Sequence, residues 1–286
     1  MQVVEGPLVK LIAERGDPVG CTLAVGEEAA MQLPLNPIVG NGLELRFLER
    51  ITCRYCATPT ARSYGEGYCY RCFKRLARCD LCVVSPDRCH YHAGTCREPA
   101  WGETFCMQPH IVYLANSSGP KVGITRAGHQ TGRWLDQGAA QALPILAAPT
   151  RQVAGLAEVS LAAHVPDRTD WRQLVTGDAD PVDLAALRER LQREVVRLPP
   201  GVRWLEEEPV SFNYPIARYG HKVQRLRLDD DPVIGGNLLG IKGQFLLFEH
   251  GVFNVRQHTS YHIRATAAGR PLASNVGGSD QMELFS

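Results

Sequence analysis

The sequence has no run of apolar, uncharged residues approaching the roughly 18 that a membrane-spanning helix needs. Its first residues, Met1 to Gly16, lack the basic-then-apolar grading of an export signal, so a cytoplasmic location and no membrane partner are expected. Net charge is nearly absent as well: 31 basic and 30 acidic side chains leave +1, too little for the whole molecule to be steered toward nucleic acid or lipid. Any such preference has to be local. There is no Gly-x-Ser-x-Gly elbow and no dinucleotide fingerprint in a βαβ setting, which removes hydrolase-fold esterases and dehydrogenases. The run Gly235-Gly236-Asn237, with Gly240 and Gly243 after it, has neither a GK[ST] ending nor a following helix, and reads as hairpin turns.

What the chain does have is a folded protein's 44% hydrophobic content over 286 residues, and cysteine in one place. Of ten cysteines, nine lie between Cys53 and Cys106, while Cys21 stands alone and is expected to be buried. In a reducing compartment that concentration favours metal ligation over disulfides. The segment is also poor in periodic aliphatic residues, so metal has to replace a missing core.

Cys53-x2-Cys56 and Cys69-x2-Cys72 are two knuckles twelve residues apart, each able to turn two thiolates toward one tetrahedral ion. Gly65 and Gly67 provide a tight hairpin between them, as in zinc ribbons and treble clefs. A third knuckle, Cys79-x2-Cys82, is followed by Cys89, His90, His92, Cys96 and Cys106, more ligands than one ion uses. A second site is expected from Cys79 and Cys82 plus two of Cys89, His92, Cys96 and Cys106, with the choice of partners across the knuckles open; buried unligated thiols and an iron–sulfur cluster are the rival readings. One or two structural Zn2+ ions are therefore expected.

Between Arg46 and Arg97, ten Arg or Lys face Glu49, Glu66, Asp80 and Asp87, a local balance of +6. Two zinc sites of four thiolates, each net −2, reduce that to about +2. Tyr55, Tyr64, Tyr68, Tyr70 and Phe73 interleave with these cations, a pattern that serves either to stack and clamp nucleic acid or to form a zinc module's small core.

The remainder reads as an α+β chain. Residues 1–50 are mostly β, 51–108 the cysteine region, 109–178 a small α/β core, 179–200 an amphipathic helix and 201–286 a second β region. Within the core, strands are expected at Ile111 to Ala115, Lys121 to Thr125 and Leu143 to Ala148, with helices near Thr131 to Gln137 and Gln152 to His164. Asp180 and Pro181 read as the N-cap and first turn of the amphipathic helix, which carries Leu184, Leu187, Leu191, Val195 and Leu198. Later strands are expected at Val223 to Leu228, Gln244 to Phe248 and Val252 to Val255, and a loose tail after Ala267. The composition suggests a flanking β lobe built from both chain ends. His258 and His262, in a strand-like stretch, read as surface histidines.

Ile111-Val112-Tyr113, then Lys121-Val122-Gly123-Ile124-Thr125, then Arg133 and Glu158, resemble in order and spacing the GIY-YIG endonuclease family over about 55 residues, Ile111 to Val165. Ile111 stands where that family has Gly, Lys121 where its second tyrosine is usual, and Gln137 nearest the place of a histidine. The whole chain resembles an uncharacterised bacterial family in which cysteine knuckles precede such a core. The resemblance implies phosphodiester hydrolysis, with Tyr113 activating water, Lys121 adding positive charge, Arg133 holding the phosphate and Glu158 binding Mg2+ or Mn2+. A zinc-stabilised, DNA- or RNA-interacting protein, with nuclease activity as its extension, is the leading expectation. The rivals are a non-catalytic nucleic-acid- or protein-binding module and a thiol or metal sensor; oligomeric state is not legible.

Overall fold

The computed structural model describes residues 2–269 apart from 167, 196 and 222. The tail expected to be loose lies, from 270 on, outside the described residues. The chain is mixed α+β and is organised around two sheets.

Strands from both ends of the chain meet in the larger sheet. It contains β1 (Gln2–Glu14), β2 (Gly20–Val25), β3 (Met31–Pro34) and β4 (Gly42–Ile51) from the first fifty residues. The last third of the chain supplies the rest of it after the short strands of the second sheet. The cysteine region leaves β4 and carries the helices α1 (Tyr70–Arg75) and α2 (Pro99–Phe105), joined by 3-10 turns.

The second sheet follows as β5 (His110–Asn116), β6 (Pro120–Arg126), helix α3 (Gln130–Asp136), β7 (Gln141–Ala148) and helix α4 (Arg151–Ala162). Two more helices, α5 (Trp171–Thr176) and α6 (Leu184–Glu194), lead to the two-residue strands β8 (Arg203–Trp204) and β9 (Val210–Ser211), which edge β7. Each core element expected from the sequence is present, its ends moved by one or two residues. β5 is buried along its whole length, as a central strand covered on both faces must be. Its residues alternate: Val112 and Leu114 pack with Ala154, Ala157 and Leu161 of α4, while Tyr113 and Ala115 join Trp134 and Leu135 of α3 in the core of the larger sheet. Helix α3 is thus wedged between the two sheets.

The chain then returns to the larger sheet with β10 (Arg225–Leu226), β11 (Val233–Lys242), β12 (Phe245–Phe248), β13 (Gly251–Asn254) and β14 (Tyr261–Ala267). The order is β10-β13-β12-β11-β4-β14-β1-β2-β3, so β14 lies between β4 and β1 and closes the lobe across the two ends of the chain.

Five local expectations are corrected. Helix α6 is capped by Asp183, whose Oδ1 accepts from Ala186 N at 2.9 Å, and not by Asp180. The Asp180 carbonyl is taken instead by Asn116 Nδ2 at 2.8 Å, which ties that turn to β5. The helix ends at Glu194 because Val195 is extended (φ −87°, ψ 95°).

Gly235, Gly236 and Gly240 are not in turns but inside β11. A Cβ on Gly235 would stand 3.1 Å from the Leu43 carbonyl, and one on Gly240 2.9 Å from Ile216 Cα, so these glycines admit close backbone neighbours. Only Gly243 (φ +59°) makes the turn to β12.

The Val223 to Leu228 strand shrinks to Arg225–Leu226. His258 is no surface residue: it is 2% exposed, its Nε2 accepts from Leu228 N at 3.2 Å, and its ring stacks on Phe253 at 4.4 Å.

Candidate metal centre and cationic cleft

Thiolates at a zinc–sulfur distance of about 2.3 Å stand roughly 3.8 Å apart along the edge of a tetrahedron. The sulfurs of Cys53, Cys56, Cys69 and Cys72 all lie within 4.8 Å of one another, and those of Cys56 and Cys69 are 3.8 Å apart. A disulfide would bring two of them to about 2 Å. The donor set and its spacing fit one tetrahedral ion.

The local chain explains this convergence. After β4, Cys53 N–H donates to Thr58 O at 2.9 Å and Ala57 N–H to Cys53 O at 2.8 Å, with Ala57 in the left-handed region (φ +55°), which makes the first knuckle. Arg54 N–H then donates to Gly67 O at 2.8 Å, binding the knuckle to a hairpin in which Tyr64 and Tyr68 exchange two 2.9 Å bonds. The tip residues Gly65, Glu66 and Gly67 all have positive φ, and a Cβ on Gly67 would meet Ser260 Oγ at 2.6 Å. Cys69 is the N-cap of α1 and Cys72 lies in its first turn, so the helix start delivers the second thiol pair.

A hydrogen bond from Thr58 lowers the exposed Cys56 thiol to about 6, while burial pushes Cys72 up to about 12. A bound cation of this class holds all coordinating thiols deprotonated.

Cys21, on β2 of the larger sheet, is buried as expected, and burial pushes its thiol up to about 12. The third CxxC does not form a knuckle. Cys79 ends a 3-10 turn and packs against Cys53, Tyr68, Cys72 and Leu76. The extended Asp80 (φ −74°, ψ 156°) then redirects the chain, and Cys82 faces away with Cys89, Cys96 and Cys106. His92 is exposed, edge-on to Tyr91, and His90 rather than His92 lines that second group.

Tyr113, Arg133 and Gln137 come together. The Tyr113 ring lies across Gly123, its cross-strand partner, where a Cβ would be 2.7 Å from Oη. The hydroxyl donates to Gln137 Oε1 at 3.1 Å. Burial holds this phenol above its usual range, and the Arg133 guanidinium and Gln137 partly offset that. Tyr113 has no exposed surface. Glu158, half-buried on α4, acts electrostatically on both Tyr113 and Arg151. Lys121 is buried two residues along β6 from Gly123, and its Nζ donates to Thr169 Oγ1.

Between the cysteine region and the core lies a cleft of about 870 Å3. The cysteine region contributes Arg54, Lys74, Arg78 and Arg97, the core contributes Arg126, Arg133 and Arg151, and the turn before β14 contributes Arg256. The acidic residues lining it are Glu66 and Asp80. Each is already matched: Arg97 pairs with Asp80 and Arg256 with Glu66, both at 2.7 Å. Among the described residues the other six cations have no carboxylate partner within 4.0 Å.

Aromatic faces organise them, since the Arg126 and Arg151 guanidinium groups lie 5.3 and 5.5 Å from the Phe105 ring centre. Sequence reasoning found the cations of the cysteine region but not Arg126, Arg151 or Arg256. They are dispersed in neutral surroundings, and only the fold brings them together.

No helix among the described residues is long and apolar enough to cross a membrane. No curated protein matches the chain, and no solved structure does. A family model does match, over residues 40–263, which takes in the cysteine region, the core and most of the larger sheet's return strands. The chain belongs to the family described as Protein of unknown function (DUF2797).

Proposed function

We propose that this protein binds nucleic acid in the cationic cleft, with a zinc ion on Cys53, Cys56, Cys69 and Cys72 fixing one of its walls. The observation that carries the reading is the convergence of eight cations on one concave surface in a molecule whose formal charge is only +1. A phosphate backbone satisfies the six cations that, among the described residues, have no carboxylate partner. The four-thiol site suits a soft-ligand structural cation, and zinc there cross-links a region with little apolar core.

Hydrolysis of the bound strand is the second reading. It is favoured by Arg133, which lines the cleft and also stands at the Tyr113 hydroxyl, with Glu158 acting electrostatically on that hydroxyl and on Arg151. In this reading the core is GIY-YIG-like, Glu158 holds Mg2+ or Mn2+, and Lys121 adds positive charge. The burial of Tyr113 and the bond between Lys121 and Thr169 make binding the primary proposal and hydrolysis its extension.

The test is fluorescence anisotropy of zinc-loaded protein with labelled single-stranded and duplex DNA and RNA over a salt series, beside incubation with Mg2+ or Mn2+. If five or six phosphates are neutralised, log K falls against log salt with a slope of roughly −4 to −5. Binding that ignores salt, or no binding to any of the four, rejects the proposal. Cleavage lost in Glu158→Ala with zinc and fold retained would establish the second reading.

A further inference from the structure

Residues 80–110 fold without a hydrophobic core. None of them belongs to any of the four apolar clusters found among the described residues. Their structure is a chain of 3-10 turns, Leu81–Val83, Pro86–Arg88 and Tyr91–Ala93, followed by the seven-residue α2. Short turns of this kind bury too little apolar surface to repay the entropy of ordering them, so another interaction has to hold them.

At their centre is a cavity of about 10 Å3, room for a single atom-sized guest, walled by Cys82, Cys89, Cys96 and Cys106 together with Asp80 and His90. All four thiols face this one cavity, although among the described residues no three of their sulfurs lie within 4.8 Å of one another, so an ion would draw them inward. The packing around them is tight: a Cβ on Gly102 of α2 would stand 2.9 Å from the Tyr91 ring and 3.5 Å from Cys96 Sγ.

We infer that Cys82, Cys89, Cys96 and Cys106 form a second structural zinc centre, which clamps the cysteine region onto helix α4. Thiolates are the ligands that a soft divalent cation prefers, and four of them complete a tetrahedral structural site. The donors nearest one another here are Asp80, Cys82 and His90, within 4.8 Å, but two of the three are already committed. Asp80 Oδ1 accepts from Leu81 N at 2.6 Å and Oδ2 from Arg97 Nε at 2.7 Å. His90 Nδ1 meets Thr95 Oγ1 at 2.8 Å, and its Nε2 faces Asp80 at 3.5 Å. These residues brace the turns around the site and leave the thiols to the ion.

The clamp is visible on the α4 side. The Arg151 guanidinium donates to Val83 O, beside Cys82, and Arg151 N–H donates to Cys106 O at 2.8 Å. Gln152 Nε2 donates to Cys89 O at 2.8 Å. The centre therefore fixes Arg151, which lines the cleft, without touching the cleft itself. A net −2 on the ion and its four thiolates also supplies counter-charge for this half-buried arginine.

The test is metal content of the purified full chain by plasma mass spectrometry, with native mass spectrometry to count ions per chain. The expected result is two zinc ions in the wild type and in Cys79→Ser, and one in Cys89→Ser, Cys96→Ser and Cys56→Ser. Zinc X-ray absorption of the wild type, which does not depend on any variant folding, should show only sulfur in the first shell, near 2.3 Å. One zinc per chain in the wild type, iron in place of zinc, or loss of an ion in Asp80→Asn with retention in Cys96→Ser would overturn the assignment. So would nitrogen or oxygen ligands in the absorption spectrum.

Discussion

Gly155 lies in the middle of α4, where a glycine normally costs a helix about 1 kcal/mol relative to alanine. Replacing it at an exposed site would therefore stabilise. Here the sign should reverse. A Cβ at this position would sit 2.6 Å from Asp87 N, 2.6 Å from Pro86 Cβ and 2.9 Å from Pro86 C. Ordinary contact needs roughly 3.4 Å or more, so the Pro86–Arg88 turn has to retreat by nearly 1 Å. It is poorly placed to do so. Pro86 is buried, and the turn is held on one side by Arg151 at Val83 O and on the other by Gln152 at Cys89 O. Overpacking of this kind costs about 1–3 kcal/mol, against the propensity gain of about 1. Gly155→Ala should lose up to about 2 kcal/mol in urea unfolding and lose amide-exchange protection at residues 86–90 before the rest of the chain does. A variant more stable by about 1 kcal/mol, with protection at residues 86–90 unchanged, would show that the cysteine region is not seated on α4.

Lys74→Ala should weaken nucleic-acid binding about equally for every sequence and reduce the salt slope by about 1 in an anisotropy titration, with zinc content unchanged. Tyr113→Phe removes the bond to Gln137 and should cost about 1 kcal/mol in unfolding while leaving affinity within about twofold; a loss of affinity would place the hydroxyl in the binding surface. Burial lowers His110 to about 4 from 6.5, so the unfolded chain takes up a proton that the folded chain refuses. Its contribution is present above pH 6.5 and is lost as pH falls toward 4, by an upper bound of roughly 3 kcal/mol. His110→Asn should flatten that part of the stability profile, and identical slopes in the two proteins would assign the loss elsewhere.

The elements that repeat a strong pattern were legible in the sequence. The strand pair around Tyr113 and Gly123, helix α3, β7 and α4 stand within one or two residues of their expected bounds. The first four-thiol site was legible too, because two CxxC knuckles joined by a Gly-rich hairpin can turn four thiolates to one ion, although the spacing left open which knuckles share it.

What escaped depended on tertiary neighbours. Gly235, Gly236 and Gly240 carry a turn composition, and only the backbone of β4 and Ile216 pressing on them makes a strand of that stretch. Cys79 and Cys82 have a knuckle's spacing, but Asp80 caps a new turn with its own side chain and sends the two thiols to different clusters. His258 looks polar in sequence, and it is buried because Leu228 N and Asn254 O satisfy both ring nitrogens. The cleft was least legible of all: its cations come from positions as far apart as Arg54 and Arg256, joined by the pairing of β14 with β4.

The same topology separates the demands of binding from those of hydrolysis. A base that activates water has to reach that water, directly or through one intermediary. Tyr113 Oη gives its hydrogen to Gln137, lies against Gly123 and contacts no solvent, while Arg133, one helical turn before Gln137, reaches the cleft. Helix α3 therefore presents a cation outward and at the same time covers the phenol. Binding needs only the first of these and is served by the fold as it stands. Hydrolysis through Tyr113 needs α3 to move, and α3 is held where a Cβ on Gly243 would meet Gly138 N at 2.9 Å and Asp136 O at 3.0 Å. Cleavage by this protein should therefore be accompanied by loss of exchange protection in residues 130–138 when the strand binds. Affinity without that loss is what a binding module gives.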